Sequence, residues 1–467
     1  MKLFLKLIII LSLLSTFSVV VLNCTNSNEK IDGWENLDVI LNRIIAPTFQ
    51  DRVFNVTSYG AVGDGISDCT KAFQFAIEDC NKNGGGKVLV PQGVFLSGAI
   101  HLSSNVNLHL AENAIIKFSD DKSKYLPVVF SRWEGVECMN YSSLIYAYGK
   151  ENIAITGSGI LDGQGSNQNW WSWKGKEEFG WQKGMPNQKV GRDKLFEMGE
   201  NKLPVEQRVL GEGYFLRPNF VQFYKSKNIL IEGVTFKDSP MWFINPVLCE
   251  NVSLIGIKIE GLGPNNDGCD PESSKDVLIE NCYFNNGDDC IAIKSGRNND
   301  GRRINIPSEN IIIKNCVMKN GHGGVVVGSE ISGGAKNIFV EDCQMDSPNL
   351  DRALRIKTNS VRGGLIENIF VRNLSIGEVS EAILKINFYY EEGDVGEFTP
   401  SVNNIILENI TSKKSSYALW MKAYERAKIK NVVIRDSKFE NVANDNVLEN
   451  VDCLVLNNIT INNKVIN

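Results

Sequence analysis

Three aspartates in two short segments are the residues of this chain whose type and spacing best suit chemistry. Asp267 lies in Pro-Asn-Asn-Asp-Gly, and Asp288 and Asp289 follow a short interval later in Asn-Gly-Asp-Asp-Cys. Carboxyl groups held close together repel each other when ionised, so one of them keeps its proton to a higher pH. Such a group can act as a general acid while its neighbour acts as a base. A calcium site is the alternative, because oxygen-rich clusters are what that ion prefers.

A histidine and two cationic side chains follow at regular intervals. His322 stands in Gly-His-Gly-Gly, and the interval from Asp288 to His322 nearly equals the one from His322 to Arg355, which begins Arg-Ile-Lys357. His101 and His109 lie in an early strand region, where we expect ordinary structural roles. The glycines beside His322 leave its imidazole uncovered, so it is the functional candidate among the three histidines.

A recurring motif predicts the elements that must position these side chains. Each unit is an Asn or Asp followed by an alternating run of β-branched residues, as in Glu-Asn-Ile-Ala-Ile-Thr-Gly from Glu151 and Lys-Asn-Ile-Phe-Val-Glu-Asp from Lys336. Five successive anchors are Asn228, Asn251, Asp276, Asn310 and Asn337. The intervals between them fit one coil of two or three strands with turns, so the sequence predicts an all-β parallel β-helix solenoid. Residues one coil apart then lie about 4.8 Å from each other, which places Asp267 beside the Asp-Asp pair.

The register of the motif predicts a stacked inward position six residues after each anchor. The residues at this position are Val234, Ile257, Cys282, Cys316, Cys343, Leu374 and Ile410. All are small or medium-sized and apolar, as a narrow core requires. We therefore interpret the three cysteines as core residues rather than as metal ligands or redox groups.

Two further segments are predicted outside the regular coils. A helix from about Asp68 to Asn81 follows the turn Gly-Ala-Val-Gly-Asp-Gly and is expected to cap the open N-terminal end of the solenoid. Cys69 and Cys80 lie on one face of this helix but about 16 Å apart, too far for a disulfide. Residues 162–216 break the coil period and contain four tryptophans, which predicts one long functional insertion.

The N-terminus has the pattern of an export signal. Lys2 and Lys6 precede an uncharged apolar run that is followed by Cys24, so we assign residues 1–23 to a signal, 24–50 to a linker and 51–467 to the solenoid. Cleavage, retention as an anchor, and lipid attachment at Cys24, as in a bacterial lipoprotein, remain alternatives. The expected locations are the periplasm, the cell surface or the extracellular space.

The net charge of the chain argues against some classes of binding partner. The 467 residues carry a formal charge of -6, which becomes -8 without the two lysines of the signal. This gives no sequence-wide basic excess for nucleic acid, so a polyanionic partner would need a local cationic patch. We expect a monomer.

Four segments, taken in order, resemble the motifs of glycoside hydrolase family 28, the polygalacturonases. Members carry Asn-Thr-Asp, Asp-Asp, Gly-His-Gly and Arg-Ile-Lys on a right-handed parallel β-helix, and this chain has Asn266 in place of the threonine. The resemblance implies that Asp288 is the general acid, that Asp267 and Asp289 activate water, and that His322 tunes the acid. In fungal members a cysteine before Gly-His-Gly bridges to the one after Asp-Asp. Met318 stands at that place here, so Cys290 is expected to be unbridged.

The same resemblance implies the substrate and the residues that bind it. Arg355 and Lys357 would hold the galacturonate carboxylate, with Asn265 as a further substrate-binding residue, and neither a metal nor an organic cofactor is required. The expected substrates are polygalacturonate or pectin oligosaccharides, hydrolysed with inversion. The segment Arg132-Trp-Glu-Gly135 resembles one in exo-acting bacterial members, and bulk from the insertion and from residues 388–393 would wall off one end of the groove.

Two other functions remain open from the sequence. A pectate-lyase-like eliminase would use the same solenoid with calcium on the carboxylates, and a noncatalytic pectin-binding solenoid would show aromatic stripes. The crowded acid cluster argues against the second.

Overall fold

Asparagine and aspartate anchors set the period of the fold, because they take up left-handed backbone conformations where the chain bends. The φ angle is 55° at Asn228, 57° at Asn251 and 54° at Asp276, a region that Asn and Asp tolerate better than other non-glycine residues. Their side chains also stack along the fold, since Asn251 Nδ2 donates to Asn228 Oδ1 at 2.9 Å. The repeated anchor therefore supplies both the bend and a polar ladder from coil to coil.

The computed structural model describes residues 19–22 (backbone only) and 33–466, and it shows the predicted right-handed parallel β-helix. The assigned signal lies outside the described residues except for Val19–Leu22, a strand that pairs antiparallel with Val451–Ile461. Cys24 lies outside them as well.

Each complete coil contributes strands to three parallel stacks. The first stack consists of Val53–Asn55, Gly86–Val90, Val106–Leu110, Glu151–Gly157, Lys227–Glu232, Glu250–Ile255, Lys275–Glu280, Ser308–Lys314, Ala335–Glu341, Leu365–Glu378, Ser401–Lys414, Ile429–Phe439 and Val451–Ile461. The second consists of Asp64–Asp68, Gly93–Ser97, Ala114–Phe118, Ile160–Asp162, Thr235–Lys237, Lys258–Gly261, Tyr283–Asn286, Val317–Met318 and Gln344–Met345, and the four long strands of the first stack bend to continue it.

The third stack, here called the site stack, carries the candidate chemistry. Its strands are Ile100–His101, Ile145–Tyr148, Val221–Tyr224, Ile244–Val247, Ile291–Ile293, Val325–Val327, Arg352–Lys357, Ala382–Asn387, Tyr417–Lys422 and Val447–Glu449. Cys269 bridges Ile244 to Ile291, so the stack is continuous. Apolar residues of all three stacks fill the interior, and the predicted ladder is confirmed: Cys282, Cys316 and Cys343 are buried and carry free thiols.

Helices cover the ends and the outside of the coils. The capping helix runs from Thr70 to Lys82, and Cys69 and Cys80 are buried, free thiols as expected. The other helices are Leu37–Leu41, Lys189–Glu200 and Asn298–Ile304, with 3-10 turns at Trp34–Asn36, Val56–Tyr59, Lys122–Tyr125, Trp171–Lys174, Glu177–Phe179 and Val205–Gln207. The remaining strands are the hairpin Val129–Trp133 and Val136–Asn140, and Lys464–Ile466 at the C-terminal end.

Part of the predicted linker is docked on the solenoid. Leu37 and Ile40 pack on an outward apolar stripe of the first stack that includes Phe339 and Phe370. Arg43 extends this contact by binding Asp276, the aspartate in the anchor ladder, at 2.9 Å. Residues 33–45 are therefore held by specific contacts along several coils.

Candidate active site

The three aspartates meet because two turns lie in register on adjacent coils. Cys269 pairs with Ile291 in the site stack, and Asp267 and Asp289 each precede their paired residue by two positions. The Gly268 amide donates to the Asp289 carbonyl at 3.0 Å. One carboxylate oxygen from each of Asp267, Asp288 and Asp289 lies within 4.8 Å of the other two. The structure thus brings together the three carboxylates that the coil length predicted to be neighbours.

The facing oxygens of the triad can be set beside the carboxyl spacings known for glycosidases. Inverting enzymes commonly place their two groups roughly 6.5–9.5 Å apart, and retaining enzymes place theirs at about 5–5.5 Å. Here the nearest oxygens of the triad lie within 4.8 Å, because the groups come from coils in direct contact. The two distances join different atoms, since the first is measured between carboxyl groups and the second between facing oxygens.

Asp267 holds a proton more strongly than an ordinary aspartate does. Its side chain is buried, and burial together with the negative charge of Asp288 raises its pKa to about 8. Its Oδ1 atom has no hydrogen-bond partner among the described residues. Burial and the charge of Asp288 thus favour the protonated form of Asp267.

Asp288 has the opposite tendency. Burial would raise its pKa, but the hydrogen bond and charge of His322 outweigh it and hold the pKa of Asp288 well below its usual value. His322 Nδ1 lies 3.0 Å from Asp288 Oδ1, and this partner raises the pKa of His322 to about 9. The imidazole side chain is 53% exposed, as its flanking glycines predicted. The pair is thus a carboxylate beside an imidazolium that faces the cleft.

Lys294 is a buried cation that the sequence analysis missed. Its Nζ lies 3.6 Å from Asp267, 3.4 Å from Asp270 and 3.3 Å from Glu330. Burial alone would lower its pKa, but these carboxylates raise it well above the usual value. The sequence feature that could have identified Lys294 is its position directly after the strand Ile291–Ile293 of the site stack.

The two cations of Arg-Ile-Lys lie beside Asp289. Lys357 Nζ donates to Asp289 Oδ2 at 2.7 Å, and Arg355 Nη1 lies 3.6 Å from Asp289 Oδ1. Burial lowers the pKa of Lys357, but Asp289 outweighs it and leaves the pKa raised. Both cations also face the ring of Tyr390 at 5.3 Å. They line the cleft, where an anionic ligand can reach them.

The cleft has a volume of about 510 Å³, and the insertion forms one of its walls. Lys174, Phe179 and Arg192 from residues 162–216 line it. Lys174 Nζ donates to Asn265 Oδ1 at 2.7 Å, and Arg217 donates to the same oxygen at 2.8 Å. The predicted substrate-binding Asn265 therefore lines the cleft with its carbonyl oxygen already held by two cations.

The Arg-Trp-Glu-Gly segment joins the insertion to the cleft. Glu134 lines the cleft and accepts a hydrogen bond from Arg192 Nε at 2.7 Å. Trp133 Nε1 donates to the Arg217 carbonyl at 2.9 Å, and Arg132 is buried, with its Nε 3.3 Å from Glu272. The segment is thus a support for the wall, a function that sequence alone did not indicate.

The tryptophans of the insertion are mostly structural. Trp170 is fully buried against Tyr125, and Trp173 is 9% exposed and packs on Phe215. The aromatic rings that line the cleft are instead Phe179, Trp242 and Tyr390. Trp242 was missed, although the interval that separates it from Asp267 is that of one coil, which puts both on the same face.

The remaining histidines have local partners away from this cleft. His101 Nε2 lies 3.0 Å from Ser142 Oγ, and His109 Nδ1 lies 2.8 Å from Thr156 Oγ1. Burial lowers both pKa values. Cys290, next to the aspartate pair, is a buried, free thiol as expected.

Comparisons with known proteins agree with this geometry. Residues 213–455 match the model of glycosyl hydrolases family 28, and residues 53–122 match the rhamnogalacturonase A/epimerase, pectate lyase-like model. The chain is 46% identical to a hyperthermoactive exopolygalacturonase from Thermotoga maritima, with a TM-score of 0.87 over 90% of this chain and 98% of that chain. The Yersinia enterocolitica family 28 exopolygalacturonase shares the fold, with a TM-score of 0.68 at 23% identity over 84% and 72% of the two chains.

This chain matches only part of the length of its sequence relatives. A probable polygalacturonase from Vitis vinifera is 30% identical over 73% of this chain, and the exo-poly-alpha-D-galacturonosidase from Dickeya chrysanthemi is 28% identical over 75%. The match covers 64% and 59% of their lengths, less than two thirds of either. The family model spans more than half of the chain and includes the three aspartates, His322, Arg355 and Lys357. The chain belongs to glycosyl hydrolases family 28.

Proposed function

We propose that this protein hydrolyses the α-1,4 linkages of polygalacturonate. The observation that carries the proposal is a cleft lined by Asp267, Asp288, Arg355 and Lys357, with the third carboxylate, Asp289, buried directly beside it. The triad can give a proton to the leaving oxygen and take one from water, and guanidinium and ammonium groups bind carboxylates well. Local cations thus let a protein of negative net charge bind a polyuronide.

Hydrolysis fits the site better than calcium-dependent elimination. Asp289 faces Lys357 and Arg355, and Asp267 faces Lys294, so protein cations already compensate the triad. A calcium ion placed there would lie beside these cations, which makes its binding unfavourable.

Reducing-end release from polygalacturonate, measured with and without chelator, tests the reaction type. Hydrolysis should continue in chelator and give no ultraviolet-absorbing product. Loss of activity in chelator, or an unsaturated product, would establish the eliminase instead.

In the proposed mechanism Asp288 protonates the leaving oxygen, and Asp267 and Asp289 activate water with inversion. The proton that Asp288 delivers comes from the imidazolium of His322, 3.0 Å away, which becomes neutral as the leaving oxygen is protonated. Asp267 accepts a proton from water only in its ionised form, which becomes populated as the pH approaches and passes about 8. The raised pKa of Asp267, about 8, favours a second assignment in which Asp267 is the acid and Asp288 is the base. The anomer of the first product, identified by proton NMR, tests inversion.

The wall formed by the insertion supports attack from the chain end. Phe179, Arg192 and Glu134 line one part of the cleft, and the structurally similar Thermotoga protein is described as an exopolygalacturonase. A blocked groove admits a polymer end but not its middle. Polygalacturonate should therefore lose viscosity slowly while monomer or dimer accumulates from the start. An early mixture of oligomers with a steep fall in viscosity would show an open cleft.

We further propose that the chain is exported, on the pattern of residues 1–23, with lipid attachment at Cys24 as the anchor. No helix among the described residues is long and apolar enough to cross a membrane. A polymeric substrate outside the cell also requires an exported enzyme. We expect it to act as a monomer.

A further inference from the structure

The outward face of the site stack continues past the cleft with residues suited to a uronic acid chain. Arg355 pairs with Lys385 on the next coil, and Lys385 pairs with Trp420 on the coil after that. In the same way Lys357 is followed by Asn387 and then Lys422. Because side chains alternate along a strand, these residues all lie on the side that carries Arg355 and Lys357. Lys385, Asn387, Trp420 and Lys422 are here called the distal track.

The cations of the distal track lie close to its aromatic ring. Lys385 Nζ lies 4.5 Å from the centre of the Trp420 ring, and Lys422 Nζ lies 5.6 Å from it. A uronic acid unit presents an apolar sugar face and a carboxylate, so an indole with ammonium groups at its border matches both. The core side of the same strand, Leu419 and Met421, is buried and holds this arrangement in place.

Acidic residues pair with the lysines of the distal track, and one of them lies on the coil where the track ends. Glu381 pairs with Lys385, and Glu449 lies 3.1 Å from Lys422 Nζ. Lys422 remains 37% exposed, so a substrate carboxylate can compete with Glu449 for it. On the following coil the outward positions are Val447 and Glu449, which offer no cation. The track therefore extends two coils, about 10 Å, beyond Arg355.

We infer that the distal track is a second binding region for polygalacturonate, used by the part of the polymer that has not yet been cleaved. The inference rests on the proposed function, in which the enzyme takes the polymer from its end and the uncleaved part extends out of the cleft. The coils of Lys385, Trp420 and Lys422 continue directly from Arg355 and Lys357, so they offer that part a surface next to the cleft. Contacts there add affinity for long substrates and none for substrates too short to reach them.

Kinetics with galacturonate oligomers of increasing length test this inference. Trp420→Ala should lower the ratio of kcat/KM on the longest oligomer to kcat/KM on the shortest by about fivefold. Lys422→Gln, which removes only the more exposed ammonium, should lower it in the same direction. Lys438→Gln is the matched control, because Lys438 is 53% exposed and lies outside the site stack.

The outcomes separate this inference from the proposed function. Equal losses on short and long oligomers in both variants, with wild-type cleavage intact, would overturn the distal track alone. A wild-type enzyme that cleaves no galacturonate oligomer would overturn the proposed function and the track with it. Thermal unfolding of each variant shows whether it is folded. If Trp420→Ala does not fold, the result for Lys422→Gln alone tests the distal track.

Discussion

His322 Nδ1 lies 3.0 Å from Asp288 Oδ1, so an imidazole and a carboxylate from separate segments of the chain form an ion pair across adjacent coils. The pair raises the pKa of His322 to about 9 and lowers that of Asp288. Both changes mean that the charged forms stabilise each other in the folded protein. The stability that this ion pair contributes to the folded protein therefore depends on pH.

The pH dependence of that stability has a definite sign. A group whose pKa is raised on folding, here from 6.5 to about 9, contributes stability that is complete below its unfolded pKa and is lost as pH rises through its folded pKa. His322→Gln should therefore lower the melting temperature near pH 6 and have little effect near pH 10. The effect should be small, because the imidazole is half exposed. If the difference in melting temperature between the wild type and His322→Gln is the same at pH 6 and pH 10, the ion pair is contradicted.

Aryl galacturonides can identify the general acid. A nitrophenolate leaves without needing a proton, so a variant that lacks the acid should keep most of its activity on this substrate while losing about 10²–10⁴ on polygalacturonate. We expect Asp288→Asn to behave in this way and Asp267→Asn to lose activity on both substrates. The reverse pattern would assign the acid to Asp267, as its raised pKa favours. Thermal unfolding of both variants serves as the control for folding.

Lys294 should set the pH range in which Asp267 can act. Its Nζ lies 3.6 Å from Asp267, with Asp270, Glu330 and Asp289 as the other charged groups that act on the ammonium. Its positive charge lowers the pKa of Asp267, so Lys294→Met should raise it further. If Asp267 is the base, the acidic limb of the kcat/KM profile then moves to higher pH. Lys294→Arg keeps the charge and should leave the limb nearly in place. A lower rate with an unmoved profile would show a structural role only.

Lys357 should discriminate acidic from neutral substrates. Its ammonium lies 2.7 Å from Asp289 and lines the cleft, where a galacturonate carboxylate can share it. Lys357→Met should reduce kcat/KM on polygalacturonate at least tenfold more than on carboxyl-reduced polymer, as loss of a charge-assisted hydrogen bond of about 1.5–3 kcal/mol implies. Equal losses on the two substrates would mean that Lys357 acts only through Asp289.

Cys24 offers a test of the anchor. If the cysteine carries lipid, Cys24→Ser should move the protein from the membrane fraction to the soluble fraction, because the acyl chains supply the membrane affinity. Fractionation followed by mass determination of the mature N-terminus checks this. A wild-type protein that is already soluble, with its N-terminus elsewhere, would exclude lipidation.

The sequence by itself determined the fold and the alignment of the triad. Anchors such as Asn228 and Asp276 carry both the bend and the period, and apolar residues such as Cys316 follow at a fixed distance, so local signals specify each coil. Stacking at one coil spacing then places Asp267 beside Asp289 without further information.

Only the tertiary structure decided what surrounds those carboxylates. Lys174 and Arg192 reach the cleft from an insertion without a coil period, and nothing in their local sequence gives the direction of that loop. Trp170 is taken into the core instead of the cleft for the same reason. The raised pKa of Asp267 likewise depends on its burial and on the charges of Asp288 and Lys294, which the next coil brings close to it. Local repetition fixes a solenoid, whereas the chemistry of its site depends on contacts that the repeat does not encode.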